Sequence, residues 1–173
     1  MLLAQDEASL YLQASLMRVF APVGQTPVIR TDTQRHSTHF YGALNLLTGR
    51  ETVLRSDLMT AEATALFLQQ VLDLYAGVPI LMLWDRATWH YGPAIRSVLE
   101  ANPRLELLVF PPGCPELNPQ EHVWKAARTV VSHNHSYAKL PKLAQEFELY
   151  LAKTCFPCSL LEWHGYDLIR TYN

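Results

Sequence analysis

The order of the predicted elements indicates an α/β domain in which helices cover a mixed sheet. Strand-like segments linked by turns fill the opening third of the chain, which is typical of antiparallel strands. Helical and strand-like segments alternate afterwards, which is typical of parallel strands joined by crossovers. At 173 residues, with 49% hydrophobic and 17% charged residues, the chain has the length and composition of one globular domain.

The opening third contains the segments that we predict to pair as an antiparallel meander. Residues 1–6 are short and apolar, and residues 18–20 and 26–31 flank the turn-prone sequence Ala-Pro-Val-Gly. Two further strands, 39–47 and 51–56, lie on either side of Thr-Gly-Arg, a three-residue link of the kind that closes hairpins. We therefore expect a three-stranded antiparallel meander in this part of the chain.

The hydrophobic pattern changes period after this meander. Apolar residues recur at helical spacing through residues 60–76, where Thr60 is a suitable N-cap and Glu62 favours the first turn. The remaining predicted elements are a strand at 79–84 buried on both faces, a helix from Pro93, a further buried strand at 105–110, a proline-rich loop at 111–119, a long helix from Pro119 and helical segments from about Leu140 onward. This order is ribonuclease-H-like, with parallel strands added to the antiparallel meander.

The overall charge limits how this protein can hold nucleic acid. The net charge is −2 and the isoelectric point is about 6.4. Proteins that bind duplexes through many phosphate contacts are usually strongly basic. A DNA substrate would therefore need a local basic patch, a partner subunit or a DNA-reading domain elsewhere.

The sequence also predicts the cellular compartment in which the protein works. The N-terminus has no basic segment before its apolar residues, which is unlike a signal peptide, and no apolar run is long enough to cross a bilayer. The three cysteines are then expected as thiols in a reducing compartment. We predict a cytoplasmic, nucleoid-associated protein without a membrane partner.

Two aspartates occupy positions where a packed core does not require acids. Asp85 directly follows the apolar strand at 79–84, and open α/β sheets bind their ligands at the carboxyl ends of strands. It could equally cap the following loop or pair with Arg86. Asp6 lies in the first strand, and if Leu3 points into the core, alternation places Asp6 on the opposite face. Asp6 could also belong to an exposed strand end.

Glu121 lies at the start of a predicted helix. Asn118 is a suitable N-cap, Pro119 fits the first helical position, and Glu121 follows three residues after the cap. That spacing is a capping box, and pairing with Lys125 one turn later would be equally ordinary. A structural role therefore competes with a chemical one.

The three acids could bind metal ions together if the fold places them close to one another. Converging carboxylates repel one another unless cations neutralise them. Ligand sets made only of oxygen suit Mg²⁺ or Mn²⁺, and two such ions can activate an attacking oxygen and stabilise a leaving oxygen at phosphorus.

Three stretches resemble the DDE transposases, specifically the bacterial insertion-sequence branch related to mariner elements. They are QDEA at 5–8, LWDRATWH at 83–90 and FPPGCPELNPQEHVWK at 110–125. The last follows the family pattern P-x-x-S-P-E-L-N-P-I-E-x-x-W, and the segment APVGQTP at 21–27 resembles the family's P-x-G-x-x-P turn. Asp85 and Glu121 are separated by 35 residues, close to the family's usual gap.

The resemblance implies a catalytic, metal-binding triad of Asp6, Asp85 and Glu121 that holds two Mg²⁺ or Mn²⁺ ions. It implies phosphodiester hydrolysis at element ends followed by transfer of the 3′-OH into target DNA. Arg86 stands where the family often has Asn, and Cys114 replaces a common Ser. Neither position is a family metal ligand.

The DNA contacts that we predict are Arg86, His90, Lys125 and Arg128, although each has a structural alternative such as packing or a solvated helix face. The partners expected are element-end and target DNA, and either a second copy of the chain or a transposase subunit with a helix-turn-helix. We predict a single domain over residues 1–173, because only five residues precede Asp6 and leave no room for an N-terminal helix-turn-helix.

Other functions remain open on the sequence alone. The chain could be an inactive or accessory transposase fragment that binds and regulates a full-length transposase, or another ribonuclease-H-like nuclease. Cys155 and Cys158, with His133 and His135, form an alternative zinc set, but their spacing is not the usual one.

Overall fold

A computed structural model describes residues 1–28, 36–114 and 117–156 of the chain. One five-stranded sheet has the strand order β3-β2-β1-β4-β5. The strands are β1 (Leu2–Tyr11), β2 (Ser37–Asn45), β3 (Glu51–Ser56), β4 (Ile80–Trp84) and β5 (Leu105–Val109). The α-helices in this part of the chain are α1 (Ala61–Leu74), α2 (Pro93–Ala101), α3 (Gln120–Ala127) and α4 (Leu140–Lys153).

The pairing of the strands confirms the predicted mixed sheet. Strand β2 runs antiparallel to both β1 and β3, which makes the three-stranded meander. Strand β4 runs parallel to β1 and to β5. The predicted ribonuclease-H-like class, with helices flanking an antiparallel meander and parallel strands, is therefore correct.

Side chains on the two faces of the sheet build two separate cores, because successive residues of a strand point to opposite faces. One core lies under α1 and α2 and includes Leu3, Tyr41, Phe67, Met82 and Ile95. The other lies under α3 and α4 and includes Ala4, Phe40, Leu44, Trp124 and Phe147. The predicted alternation in β1 is confirmed, since Leu3 and Ala4 belong to different cores.

The opening of the chain differs from its predicted strands. Strand β1 continues to Tyr11, past the predicted end at residue 6, because β2 pairs with it along its whole length. The strand predicted at 18–20 is wrong, because these residues form no strand. Of the strand predicted at 26–31, residues 26–28 also form no strand, and residues 29–31 lie outside the described residues. The intervening turn is present, with the Gln25 N–H donating to the carbonyl of Pro22 and Gly24 at φ +83°.

The two later strands are less buried than predicted. Strand β5 is the edge of the sheet, and its Leu108 is 54% exposed. In β4, Ile80, Met82 and Trp84 are buried, whereas Leu81 on the other face is exposed. The predicted burial of β4 on both faces and the predicted burial of β5 are both wrong, because α3 and α4 pack over β1, β2 and β3.

The helix boundaries follow local signals. The Thr60 hydroxyl accepts a hydrogen bond from the Ala63 N–H at 3.2 Å, which confirms the N-cap of α1. The helix predicted from Pro119 begins at Gln120 and ends in a π-helical turn, Arg128–Ser132. The helical prediction beyond α4 reaches residues outside the described part. Among the helices that the structure describes, none is long and apolar enough to span a bilayer.

Candidate functional site

The three predicted acids line one cleft. Its volume is about 350 Å³, and Asp6, Asp85 and Glu121 come to it from β1, the end of β4 and the first turn of α3. The other lining residues are Arg86, Ala87, Phe110, Pro111, Pro112, Gly113, Cys114 and Asn118. The fold thus brings Asp6 and Glu121, which are 115 positions apart in sequence, to the same cleft.

Asp6 is the deepest of the three acids. It is only 9% exposed, and its Oδ2 accepts a hydrogen bond from the Trp124 indole N–H at 3.1 Å. Burial, together with the nearby negative charges of Glu121, Glu7 and Asp85, raises the pKa of Asp6 from 3.8 to about 7. The protein therefore favours a proton or another positive charge at this carboxylate.

Asp85 directly follows β4 and is fixed by two donors. Its Oδ1 accepts a hydrogen bond from the Ala87 N–H at 2.8 Å and lies 3.0 Å from His90 Nδ1. The hydrogen bond with His90 outweighs burial and lowers the pKa of Asp85, with help from the Ala87 N–H. Asp85 therefore does cap its loop, but its ionic partner is His90, while Arg86 is exposed.

Glu121 stands exposed in the first turn of α3. The start of this helix is fastened to the sheet by Asn118, whose Oδ1 accepts from the Gln120 N–H at 3.1 Å. The Nδ2 of Asn118 donates to the carbonyl of Gln5 at 3.2 Å. Because Gln5 precedes Asp6, this contact sets the position of Glu121 relative to Asp6.

His90 lies inside the protein, where its imidazole contacts two acids. Its Nε2 lies 2.9 Å from Glu7 Oε1, and its Nδ1 faces Asp85. Burial lowers the pKa of His90, but the hydrogen bonds to Asp85 and Glu7 and the charge of Glu7 outweigh it and raise the pKa to about 9. The side chain is 1% exposed, which is unsuited to the direct DNA contact predicted for it.

The other predicted DNA-contacting residues lie at or near the surface. Arg86 and Lys125 are exposed, and Arg128 is partly buried at the end of α3. Of these, Arg86 lines the cleft beside the acids. These placements are compatible with phosphate contacts.

Two residues near the acids were not predicted to contribute to the site. Glu7 contacts His90 from the opposite face of β1 to Asp6, and Trp124 holds Asp6 through its indole N–H. Glu7 lies in the QDEA stretch and Trp124 lies near the end of the third matching stretch, so both were present in the quoted motifs. Their contacts cross 83 and 118 positions respectively, which local spacing cannot indicate.

A family model described as "DDE superfamily endonuclease" matches residues 1–144. The chain belongs to the DDE superfamily of endonucleases. Asp6, Asp85 and Glu121 all fall within the matched residues.

Relatives agree with that assignment. The "Insertion element IS630 uncharacterized 39 kDa protein" of Shigella sonnei is 22% identical over 151 residues, which cover 85% of this chain and 43% of that protein. The Mos1 transposase in a paired-end complex with the left transposon end has a TM-score of 0.67 at 14% identity, covering 90% of this chain and 49% of that one. The catalytic domain of Mos1 mariner transposase has a TM-score of 0.59 at 13% identity, covering 88% of this chain and 70% of that one.

These similarities show the fold of the chain and cover only part of some of its relatives. The structural matches show that this chain shares the ribonuclease-H-like fold of the Mos1 catalytic domain. The chain spans less than half the length of the insertion-element protein and about half of the Mos1 transposase chain. Mos1 paired-end complexes have been solved with Mn and with Mg.

Proposed function

We propose that this chain is the catalytic domain of a metal-dependent DNA transposase. It would hydrolyse phosphodiester bonds at element ends and transfer the 3′-OH into target DNA. The observation that supports this proposal is the cleft lined by Asp6, Asp85 and Glu121 in a chain of the DDE superfamily. The single-domain organisation over residues 1–173 is part of the same proposal.

The donor set of the cleft fits a hard divalent cation. All three acids offer oxygen ligands. Burial and the neighbouring negative charges raise the pKa of Asp6, and a bound cation would offset both effects. In the described part of the chain, no three His, Cys, Asp or Glu side chains are already gathered as a finished metal site, and Cys158 of the zinc alternative lies outside that part. The Trp124 N–H holds Asp6, and His90 holds Asp85. The three carboxylates would therefore have to move closer together to bind a cation.

Each acid has a distinct position for this purpose. Asp6 forms the buried wall of the cleft, Asp85 is oriented at the end of β4, and Glu121 is exposed on α3. Two bound Mg²⁺ or Mn²⁺ ions would activate the attacking oxygen and stabilise charge on the leaving one. The protein's own contribution is to hold three negative groups near one another and partly out of water.

The DNA would be held mainly by basic side chains at or near the surface, of which Arg86 lines the cleft. We propose that Arg86, Lys125 and Arg128 contact phosphates of the DNA. Because these residues are few, we also propose that a partner supplies further DNA contacts. That partner is a second copy of the chain or a transposase subunit with a helix-turn-helix. The net charge of −2 supports the need for one.

Removing the charge of Asp85 tests the proposed chemistry. Purified protein with Mn²⁺ should nick supercoiled plasmid, and Asp85→Asn should reduce the nicking rate about a thousandfold or more, because the amide keeps the shape but loses the anionic ligand. The measurement is the conversion of supercoiled plasmid to open circles on agarose gels.

Asp73→Asn provides the matched control, since Asp73 is an exposed aspartate on α1, away from the cleft. It should nick as the wild type does. Equal nicking by the wild type and Asp85→Asn would contradict the assignment of the acids. A wild type that binds Mn²⁺ without nicking would favour the accessory-fragment alternative.

A further inference from the structure

The side chains of Glu7, His90 and Asp85 form a chain of contacts that runs from the core to the cleft. His90 Nε2 lies 2.9 Å from Glu7 Oε1, and His90 Nδ1 lies 3.0 Å from Asp85 Oδ1. The side chains of His90 and Glu7 are 1% and 3% exposed, whereas that of Asp85 is 48% exposed. The inner two members are therefore shielded from DNA and solvent, and only Asp85 reaches the cleft.

The position of the imidazole is strongly constrained. His90 stacks on Trp84, with ring centroids 4.4 Å apart and planes inclined by 5°. Its partner Glu7 is itself held, because Oε2 accepts from the Trp89 indole N–H at 3.0 Å and Oε1 accepts from Gln5 Nε2 at 2.7 Å. Neither ring nor carboxylate can turn without breaking several buried contacts.

The constraint is passed on to Asp85 at two atoms, because His90 Nδ1 lies 3.0 Å from the side-chain Oδ1 and 3.2 Å from the main-chain carbonyl oxygen of Asp85. The Ala87 N–H and His90 Nδ1 both bond to Oδ1 of Asp85. Oδ2 is therefore the oxygen that can face a cation in the cleft. Because both ring nitrogens of His90 face carboxylate oxygens, each acts as a donor, and the orientation of the ring sets the orientation of Asp85.

We infer that Glu7 and His90 are positioning residues that orient the Asp85 carboxylate toward a divalent cation without touching the cation or the DNA. This inference rests on the proposed function, because it assumes that Asp85 is a metal ligand. Outer residues that orient a metal ligand typically change metal affinity by about 10- to 100-fold when they are replaced.

Metal binding measured without DNA tests the inference. In isothermal titration calorimetry with MnCl₂, Glu7→Gln and His90→Ala should each weaken Mn²⁺ binding about tenfold or more. Trp89→Phe, which removes the N–H bonded to Glu7 and shrinks the ring but keeps the imidazole and both carboxylates, should weaken it less. In plasmid nicking, the Glu7 and His90 variants should need more Mn²⁺ for half-maximal rate but regain most of the rate at saturating Mn²⁺, whereas Asp85→Asn should not recover.

Tyr41→Phe is the matched control, because it removes a buried hydroxyl from the same core without touching Asp85. It should bind Mn²⁺ with wild-type affinity even if its stability falls, which separates loss of positioning from loss of stability. Circular dichroism establishes that each variant is folded, and Glu7→Gln and Trp89→Phe provide milder tests if His90→Ala does not fold.

The possible failures are distinguishable. If the wild type binds Mn²⁺ through Asp85 while Glu7→Gln and His90→Ala bind it equally well, the positioning role is overturned and the proposed function stands. If a lower rate persists at saturating Mn²⁺ with unchanged Mn²⁺ affinity, the positioning role is also overturned. If the wild type neither binds Mn²⁺ nor nicks DNA, both proposals fail.

Discussion

Replacing Asp6 by Asn should stabilise the metal-free protein above pH 7 by up to about 4 kcal/mol. The folded protein raises the pKa of Asp6 from 3.8 to about 7, through burial and the charges of Glu121, Glu7 and Asp85. The stability due to this raised pKa is therefore fully present below pH 3.8 and is lost as the pH rises through about 7. An Asn has no proton to lose, and its amide oxygen can still accept from the Trp124 N–H.

Thermal unfolding in EDTA at pH 5 and pH 8 measures this effect. The wild type should lose more stability than Asp6→Asn between the two pH values, and at pH 8 the variant should melt about 8–16 °C higher. Mn²⁺ should reverse the order, because a cation can replace the missing proton at Asp6 but finds one anionic ligand fewer in the variant and binds it more weakly. Asp73→Asn, which changes an exposed aspartate, should follow the wild type in both conditions.

Two results would contradict this prediction. The wild type and Asp6→Asn could lose the same stability between pH 5 and pH 8. That result would show that the folded protein does not raise the pKa of Asp6. A stabilisation of both proteins by Mn²⁺ to the same extent would place the cation away from Asp6.

Adding one methyl group at Gly42 should destabilise the protein by about 3 kcal/mol and lower its melting temperature by about 6–12 °C. Gly42 pairs with Asp6 across β1 and β2. A β-carbon there would lie within 3.0 Å of Glu51 Oε1, Gln120 Nε2 and the Trp124 ring. These groups are buried against one another, so the methyl group would push α3 away from the sheet.

The displacement of α3 should also impair the cleft, because the same helix bears Glu121 and the Trp124 N–H that holds Asp6. Thermal melts and Mn²⁺-dependent nicking below the melting transition measure the two consequences. We expect the loss of nicking to exceed the fraction of protein unfolded at the assay temperature.

Gly77→Ala is the control for Gly42→Ala. Gly77 has φ +74°, and no atom lies within 4 Å of the position that an added β-carbon would take, so only backbone strain of about 1 kcal/mol is expected there. Adding Glu51→Ala to Gly42→Ala removes one of the clashing atoms, and the combined loss should be smaller than the sum of the two single losses. A Gly42→Ala protein as stable as Gly77→Ala would contradict the tight packing of α3 on β2.

The buried Glu51 explains why this contact is so tight. Its Oε1 accepts a hydrogen bond from Gln120 Nε2 at 2.6 Å, and burial raises its pKa well above the ordinary range despite that bond. Burial therefore favours the neutral form of Glu51, whose negative charge would stand near that of Asp6. Nothing in the local sequence of β3 indicates this, since Glu51 stands at the start of a strand where an exposed acid would be ordinary.

Local physical chemistry within the sequence determined the elements and the candidate acids. Helical periodicity and a capping threonine located α1, and the apolar run before Asp85 located β4. The order of these elements was sufficient for the mixed sheet, because parallel strands require crossover helices and hairpins do not. The matching stretches around Asp6, Asp85 and Glu121 indicated which acids share one cleft.

Only the tertiary structure decided which neighbours act on those acids and how much of each strand is covered. The contacts of Trp124 with Asp6 and of Glu7 with His90 join residues far apart in sequence, so no periodicity or spacing records them. Strand pairing extended β1 to Tyr11, and edge position exposed β5, because hydrogen bonds and burial depend on what lies alongside a strand. The pKa values of Asp6 and His90 follow from the same neighbours, since burial and nearby charge are properties of the assembled fold.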